Sequence, residues 1–313
     1  MKTKYITLAI AAIFAGFSFV SCEKDDNNGN NNQEQPTPVD PTPTPTQGGF
    51  REDGASNALF SVSATTKVRF SKGNLQYRAS NGTWRFAENQ QDCIGEGNQN
   101  ASETYDGWID NFSWGTSGWE SGATTYQPWQ LTALPWNGNY PGGSEDNDLT
   151  GAYAEADWAW HNAITNGGNQ THKWRTLTSD EWIYLTTGRT DADSKLGLAT
   201  VSDVNGLVIL PDNWTLPTGV TFSSDFTGWT DNNYTAEQWT TMENAGAIFL
   251  PATGFSTGYS SVSVYYLGAQ GNYWSATHYD SDESYSLYFA EDGLTTWNAT
   301  RTGGRAVRPV TAE

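Results

Sequence analysis

Whatever this chain builds, it builds without the cross-links that exported proteins commonly use: its 313 residues hold two cysteines, Cys22 and Cys93. Export is written at the N-terminus, where Lys2 and Lys4 precede an apolar run from Ile6 to Val20 that ends on Ser21-Cys22. The run is too short to span a bilayer and has the charge, length and small-residue finish of a secretory signal. Residues 23–54 are then Asn, Gln, Pro, Thr and Asp around Pro-Thr-Pro-Thr-Pro at 41–45, with almost no apolar side chain to bury. Such a segment is expected to stay disordered and to act as a tether reaching roughly 30 to 100 Å. The fold therefore has to come from residues 55–313, a stretch rich in Gly, Trp and Tyr that contains all 15 tryptophans. No second linker interrupts it, so one large domain is expected.

Phe19-Val20-Ser21-Cys22 resembles a bacterial lipobox, which implies that Cys22 is acylated and becomes the first residue of the mature protein. Glu23-Lys24-Asp25-Asp26 resembles the short Lys-acidic-acidic signal that sends lipoproteins of the Bacteroidetes to the exterior of the outer membrane. The resemblance implies a lipid-anchored outer-membrane protein facing outward, held by several acyl chains because one alone binds only marginally. Acylation of Cys22 leaves Cys93 without a partner. The body keeps 12 of the 16 basic residues and 28 of the 35 acids, a charge of about −16. That field repels nucleic acid and anionic lipid heads, so neither is an expected partner and the membrane is met only through the anchor.

The body reads as α+β. Strands are expected at 59–62, 67–70, 75–78 and 83–86, with Asn81-Gly82 as a turn, and later at 207–210, 247–250, 262–266, 273–276, 285–289 and 305–310. Residues 105–141 are Gly- and Trp-rich without a clear period and read as packed loop. Thr178-Ser179-Asp180-Glu181 is a capping box followed by Trp182 and Leu185, with Gly188 as the stop. Thr235-Ala236-Glu237-Gln238 is a second one, followed by Trp239 and Met242 and ended by Gly246. A third helix is expected at 154–164. Most tryptophans read as core anchors and a minority as stacking surfaces for sugars.

Trp174-Arg175-Thr176-Leu177-Thr178 through Glu181-Trp182 resembles the helix start of the formylglycine-generating-enzyme-like and Fibrobacter-type paralogous domains, members of the C-type-lectin-like fold. Asn272 to Thr277, Leu287-Tyr288-Phe289 and Gly304 to Val310 follow in that family's order, so the resemblance covers about 157–310. It implies twisted antiparallel sheets with a few short helices, and Trp182 and Trp274 as core residues. The oxidase members use two cysteines, whereas this body has Cys93 alone, and the calcium-dependent lectin triplets are incomplete at Gln127-Pro128-Trp129 and Trp297-Asn298-Ala299.

Candidate chemistry is sparse. Gly254-Phe255-Ser256-Thr257-Gly258 matches a nucleophile-elbow pattern, but the alternating residues after it predict a hairpin rather than the required helix. Asp146, Asp148, Thr150, Gly151 and Asp157 resemble half of a calcium loop without the bidentate Glu, and read as a solvated acidic loop. His161, His172 and His278 lack the paired spacing of zinc ligands. No metal or cofactor is expected. The segments 256–266 and 278–301 combine Tyr, Ser, Asp, Asn and Trp as adaptable recognition surfaces do, and are expected to be neighbouring loops. Their candidate contacts are Tyr259, Tyr265, His278, Tyr279, Asp280, Asp282, Trp297, Asn298 and Arg301. The expectation is a non-catalytic surface module that binds a glycan or a protein. The alternative is a structural or adhesive component such as a fimbrial tip subunit, with an enzyme third.

Overall fold

The structure is a computed structural model that describes residues 49–120, 124–130, 142, 146–257 and 261–313. Strands β1 (Phe60–Ser61) and β2 (Lys67–Phe70) form a short hairpin, and β3 (Leu75–Arg78) pairs with β4 (Thr83–Phe86) across a turn closed by Gly82. Helix α1 (Trp158–His161) follows a 3-10 segment at Gly151–Ala156. The expected single helix at 154–164 is broken there because Asp157 adopts extended backbone and turns its carboxylate back to cap Ala159. Helix α2 (Ser179–Ile183) starts with both bonds of its capping box, Thr178 to Glu181 and back, and widens into a π-helical turn at Tyr184–Gly188.

Next come β5 (Leu196–Val201), β6 (Val204–Ile209), β7 (Asn233–Tyr234), α3 (Ala236–Asn244) and β8 (Ile248–Pro251), which build a sheet in the order β7-β5-β6-β8. Only β5 and β7 run parallel in it. Leu198, Leu207 and Ile209 face Trp182 and the central core, while Val201, Val208 and Phe249 face Trp239 and Met242 of α3. Both faces are covered over most of its length, so the central residues of this sheet are apolar on both sides, with Thr200, Asn205 and Asn233 at one end. The hairpin β9 (Phe255–Thr257) and β10 (Ser263–Tyr265) leads into β11 (Gly271–His278), β12 (Glu283–Ala290) and β13 (Gly293–Thr300), an antiparallel sheet in that order. Gly271 lies opposite Phe289, whose ring occupies the space a Cβ would need, at 1.9 Å. Strand β14 (Val310–Ala312) returns to pair with β2.

The architecture is mixed α+β, mostly antiparallel, as the sequence implies. Four differences stand out. Strand β13 occupies what reads in sequence as loop, β5 is an additional strand, and residues 305–310 are extended but pair through isolated bridges before β14. The body also starts earlier than Ala55. Gly49 and Gly54 are buried, Phe50 packs on the central core, and Lys173 Nζ donates to Asp53 at 2.8 Å. Phe50 supplies the apolar contact that holds this start of the body on the core.

Residues 109–117 are packed loop, as expected, and fully buried. Asp110 sits among them, accepting from Asn98 Nδ2 at 2.9 Å and from the Ile94 amide at 2.8 Å. Burial pushes its carboxyl up to about 6 from 3.8, against those bonds. The folded chain therefore holds a proton that the unfolded chain releases between about pH 4 and 6. This contribution is complete below the unfolded value and is lost as pH rises through 6, about 3 kcal/mol in all. From pH 3 to 7, the wild type is expected to lose about that much more stability than Asp110→Asn in urea titrations; equal losses would refute the assignment. Cys93 lies nearby, and burial, Asp110 and Asp92 push its thiol up to about 12, which leaves it protonated and unreactive.

Candidate functional site

The alternation of β12 and β13 exposes Trp297, the most exposed large aromatic side chain among the described residues. Register pairs Leu287 with Thr296 and Phe289 with Leu294 on the face that closes the central core. It pairs Ser286 with Trp297 and Tyr288 with Thr295 on the other face. Trp297 is 64% exposed, the one tryptophan among the described residues that stands in solvent. Tyr288, Asp292, Gly293, Leu294, Thr295 and Trp297 line a cleft of about 410 Å³. The Tyr288 hydroxyl donates to Asp292 Oδ1 at 3.0 Å. Burial, then that carboxylate and the nearby Tyr266, raise its phenol above the ordinary value, so it remains a neutral hydroxyl.

A second aromatic group rises beside β10. Tyr265 and Tyr266 are exposed, and both stack on Phe255, with ring centroids 5.7 and 6.0 Å apart. The Arg305 guanidinium lies 5.6 Å from the Phe255 ring and 4.6 Å from that of Trp274. Burial brings Arg305 down to about 10, still charged at neutral pH. A continuous stack thus runs from buried Trp274 through Arg305 and Phe255 to the surface tyrosines, fixing their rings in place.

The remaining candidates divide differently. Tyr259 and Cys22 lie outside the described residues. His278 receives Asp148 twice, the carboxylate accepting from its backbone amide at 3.0 Å and contacting Nδ1 at 2.8 Å. Asp280 folds back to accept the amides of Asp282 and Glu283 at 2.9 and 2.8 Å, and Tyr279 packs edge-on against Tyr285. Asn298 donates to Glu283 and faces away from Trp297, since adjacent strand residues point to opposite sides. Apart from Asn298, which lies on β13, these residues sit at the β11–β12 turn, away from the cleft at the other end of β12.

Arg301 overturns its reading as a ligand contact. It is fully buried, with its guanidinium 4.5 Å over the Trp114 ring and donating to the carbonyls of Asp280 and Glu283. It fastens the turn from beneath. The expected loops at 278–301 are in fact two eight-residue strands joined by short turns.

Other motifs resolve into structure. Ser256 lies in the β9–β10 hairpin, fully buried, and its hydroxyl accepts from Asn111 Nδ2 at 2.9 Å. Asp157 is buried and takes the Thr176 amide and hydroxyl, so it does not turn toward Asp148. His161 and His172, distant in sequence, both meet Glu155, at 2.7 and 2.9 Å. No group of three or more His, Cys, Asp or Glu placed to hold a metal occurs among the described residues, and no helix among them is long and apolar enough to cross a membrane. Sequence reasoning missed Tyr288, Asp292, Thr295 and Tyr266. The alternation Ser284-Tyr285-Ser286-Leu287-Tyr288-Phe289 was the available signal.

A family described as a domain of unknown function (DUF8237) matches residues 223–310, which include the whole of β9 to β13 and hence the cleft and the turn. No curated protein and no solved structure matches the chain.

Proposed function

We propose that this protein is a lipid-tethered surface module that binds a glycan, without turnover, on the Trp297 platform. The carrying observation is an indole 64% exposed in an open cleft, with a phenol, a threonine hydroxyl and a carboxylate at its rim. An exposed indole stacks on the C–H face of a sugar ring, while hydroxyls and a carboxylate set orientation through hydrogen bonds. Glu291 and Asp292 beside the cleft favour a neutral or amino sugar over a uronic or sulfated one. No nucleophile, base and orienting group come together among the lining residues.

A C-type-lectin-like fold is part of this reading. The segments that carry the family resemblance pack on one another: Trp182 Nε1 donates to the Trp274 carbonyl, the Trp274 amide to Ala306, and the Ala276 amide to Leu177. A second reading, assembly into surface polymers, is favoured by β13, which forms the edge of its sheet and presents eight residues to which another strand could add.

One experiment addresses anchoring and binding together. Intact cells producing the protein are probed with a fluorescent panel of neutral and amino-sugar glycans. Trp297→Ala is expected to weaken the best hit about 30-fold with an unchanged melt, the usual loss at a binding hot spot. Cys22→Ser should either release a protein that still binds the glycan in the medium, with loss of cell labelling, or leave its precursor uncleaved. Equal glycan binding by wild type and Trp297→Ala would remove the platform, and ordered polymers without any glycan hit would put assembly in its place.

A further inference from the structure

The Trp297 cleft and the tyrosines beside β10 are two parts of one surface. On the outer face of the β11-β12-β13 sheet, the register sets Asn272, Tyr288 and Thr295 in one row and Trp274, Ser286 and Trp297 in the next. Trp297 is open at the β13 edge, whereas Trp274 on β11 is buried beneath Arg305, against which Phe255 packs. Beyond Tyr265 the chain turns straight into β11: the Tyr266 carbonyl accepts from the amides of Ala269 and Gln270 at 2.9 and 3.0 Å, and Gly271 begins the strand. Tyr266 therefore stands at the head of β11, at the same end of the sheet as the β12–β13 turn that carries Asp292. It lies near enough for its phenol to act on that of Tyr288. From β11 to the strand of Trp297 is two strand spacings, roughly 10 Å, wider than one sugar ring.

The tyrosines are held outward at a cost to the backbone. Tyr265, Tyr266 and Leu267 are 47, 58 and 42% exposed, the one run of consecutive large apolar side chains left in solvent among the described residues. Tyr266 has a φ of 55°, in the left-handed region that a bulky residue seldom adopts. Gly254 lets this segment pass, since a Cβ there would lie 2.1 Å from the Tyr265 carbonyl oxygen. Strain of this kind persists where the surrounding structure over-determines it, and it gathers at ligand-binding positions. Here the determinant is Phe255, on which both rings stack and which is itself backed by Arg305.

The chemistry across the surface alternates. The Trp297 indole comes first, then the polar strip of Tyr288, Thr295 and Asp292, then the Tyr265–Tyr266 pair. A linear oligosaccharide presents the same alternation, with C–H faces that stack on aromatic rings and hydroxyls between them that hydrogen-bond. We infer that the site extends from Trp297 over Tyr288 to the Tyr265–Tyr266 pair and takes a linear oligosaccharide, with one ring on the indole and another on Tyr266. The inference rests on the glycan reading of Trp297 and adds a minimum chain length to it.

The test is calorimetric titration of the full-length protein with malto-, cello- and chito-oligosaccharides, each from the monosaccharide to the hexasaccharide. Wild type is expected to bind one of these ladders, with affinity rising about tenfold from its shortest bound member to its longer ones and then levelling. Tyr266→Asn removes the ring while suiting the left-handed backbone, so the melt should hold. It should weaken the hexasaccharide about tenfold and the shortest bound member much less, whereas Tyr266→Phe, which keeps the face, should retain the dependence on length. Trp297→Ala should weaken every member. Affinity that is flat with length, or a Tyr266→Asn variant that binds the hexasaccharide like wild type, would overturn the extension while the Trp297 platform stands. Absence of binding to every ladder, or binding indifferent to Trp297→Ala, would remove the platform and the extension with it.

Discussion

Trp274→Ala is expected to lower the stability of the body by about 4 kcal/mol or more, seen as a fall in melting temperature of about 10 °C. The residue is fully buried and serves three neighbours at once. Its Nε1 donates to the Phe112 carbonyl at 2.6 Å, its amide to Ala306 at 2.9 Å, and its ring carries the Arg305 guanidinium. Truncation leaves a large cavity, an unpaired carbonyl and a buried cation without its aromatic partner, and these penalties add. Trp182→Ala removes a comparable volume but no cation, so a loss of about 3 to 5 kcal/mol is expected, towards the lower end. Thermal melts and urea titrations of both variants decide the matter. A shift of a degree or two for Trp274→Ala would mean that the core closes over the gap and that the stack does not depend on it.

Arg301→Ala is expected to destabilise by about 3 kcal/mol, and its damage should concentrate at the β11–β12 turn. The guanidinium ties the carbonyls of Asp280 and Glu283 to the Trp114 ring below them. Without it both acceptors lose a charged donor and the space under the turn is empty. Limited proteolysis should then cut the variant near 279–283 while the wild type resists, with Arg301→Lys intermediate because an ammonium cannot reproduce the fork. Resistance of Arg301→Ala to cleavage, with an unshifted melt, would return the residue to the surface role that its sequence context suggested. Trp297→Ala provides the contrast, since an exposed side chain is removed and no melt shift is expected.

Local chemistry was readable from the sequence, and distant pairing was not. The strands at 67–70, 75–78 and 83–86 and both capping boxes were legible because each is decided within a few residues: alternation flanked by Gly or Asn turns, or a Thr placed three residues before Glu or Gln. Strand β13 was not, because only Leu294 on its core-facing side is apolar, Thr296 and Asn298 being carried there by β12. Strand β5 hid behind Gly197, whose Cβ would press on the Ser223 carbonyl at 2.5 Å. At the site, Trp297 was identified, but the residues that make it a cleft come from the neighbouring strand at Tyr288, from two places back on its own strand at Thr295, and from the turn at Asp292. Arg301 was misread for the same reason. A lone cation in a polar stretch looks solvent-facing until Trp114, far back in the chain, is found beneath it.

The closure of β2 by β14 sets the order in which the molecule can be finished. Phe70 finds Val310 across 240 positions of chain, so a nascent polypeptide exposes an unmatched β2 edge until its last few residues are available. Pairing over such a span is entropically slow and cannot be anticipated by local segments. A partly made chain is thereby kept from locking prematurely: until residues 310–312 are in place, the internal strands lack the latch that closes β2.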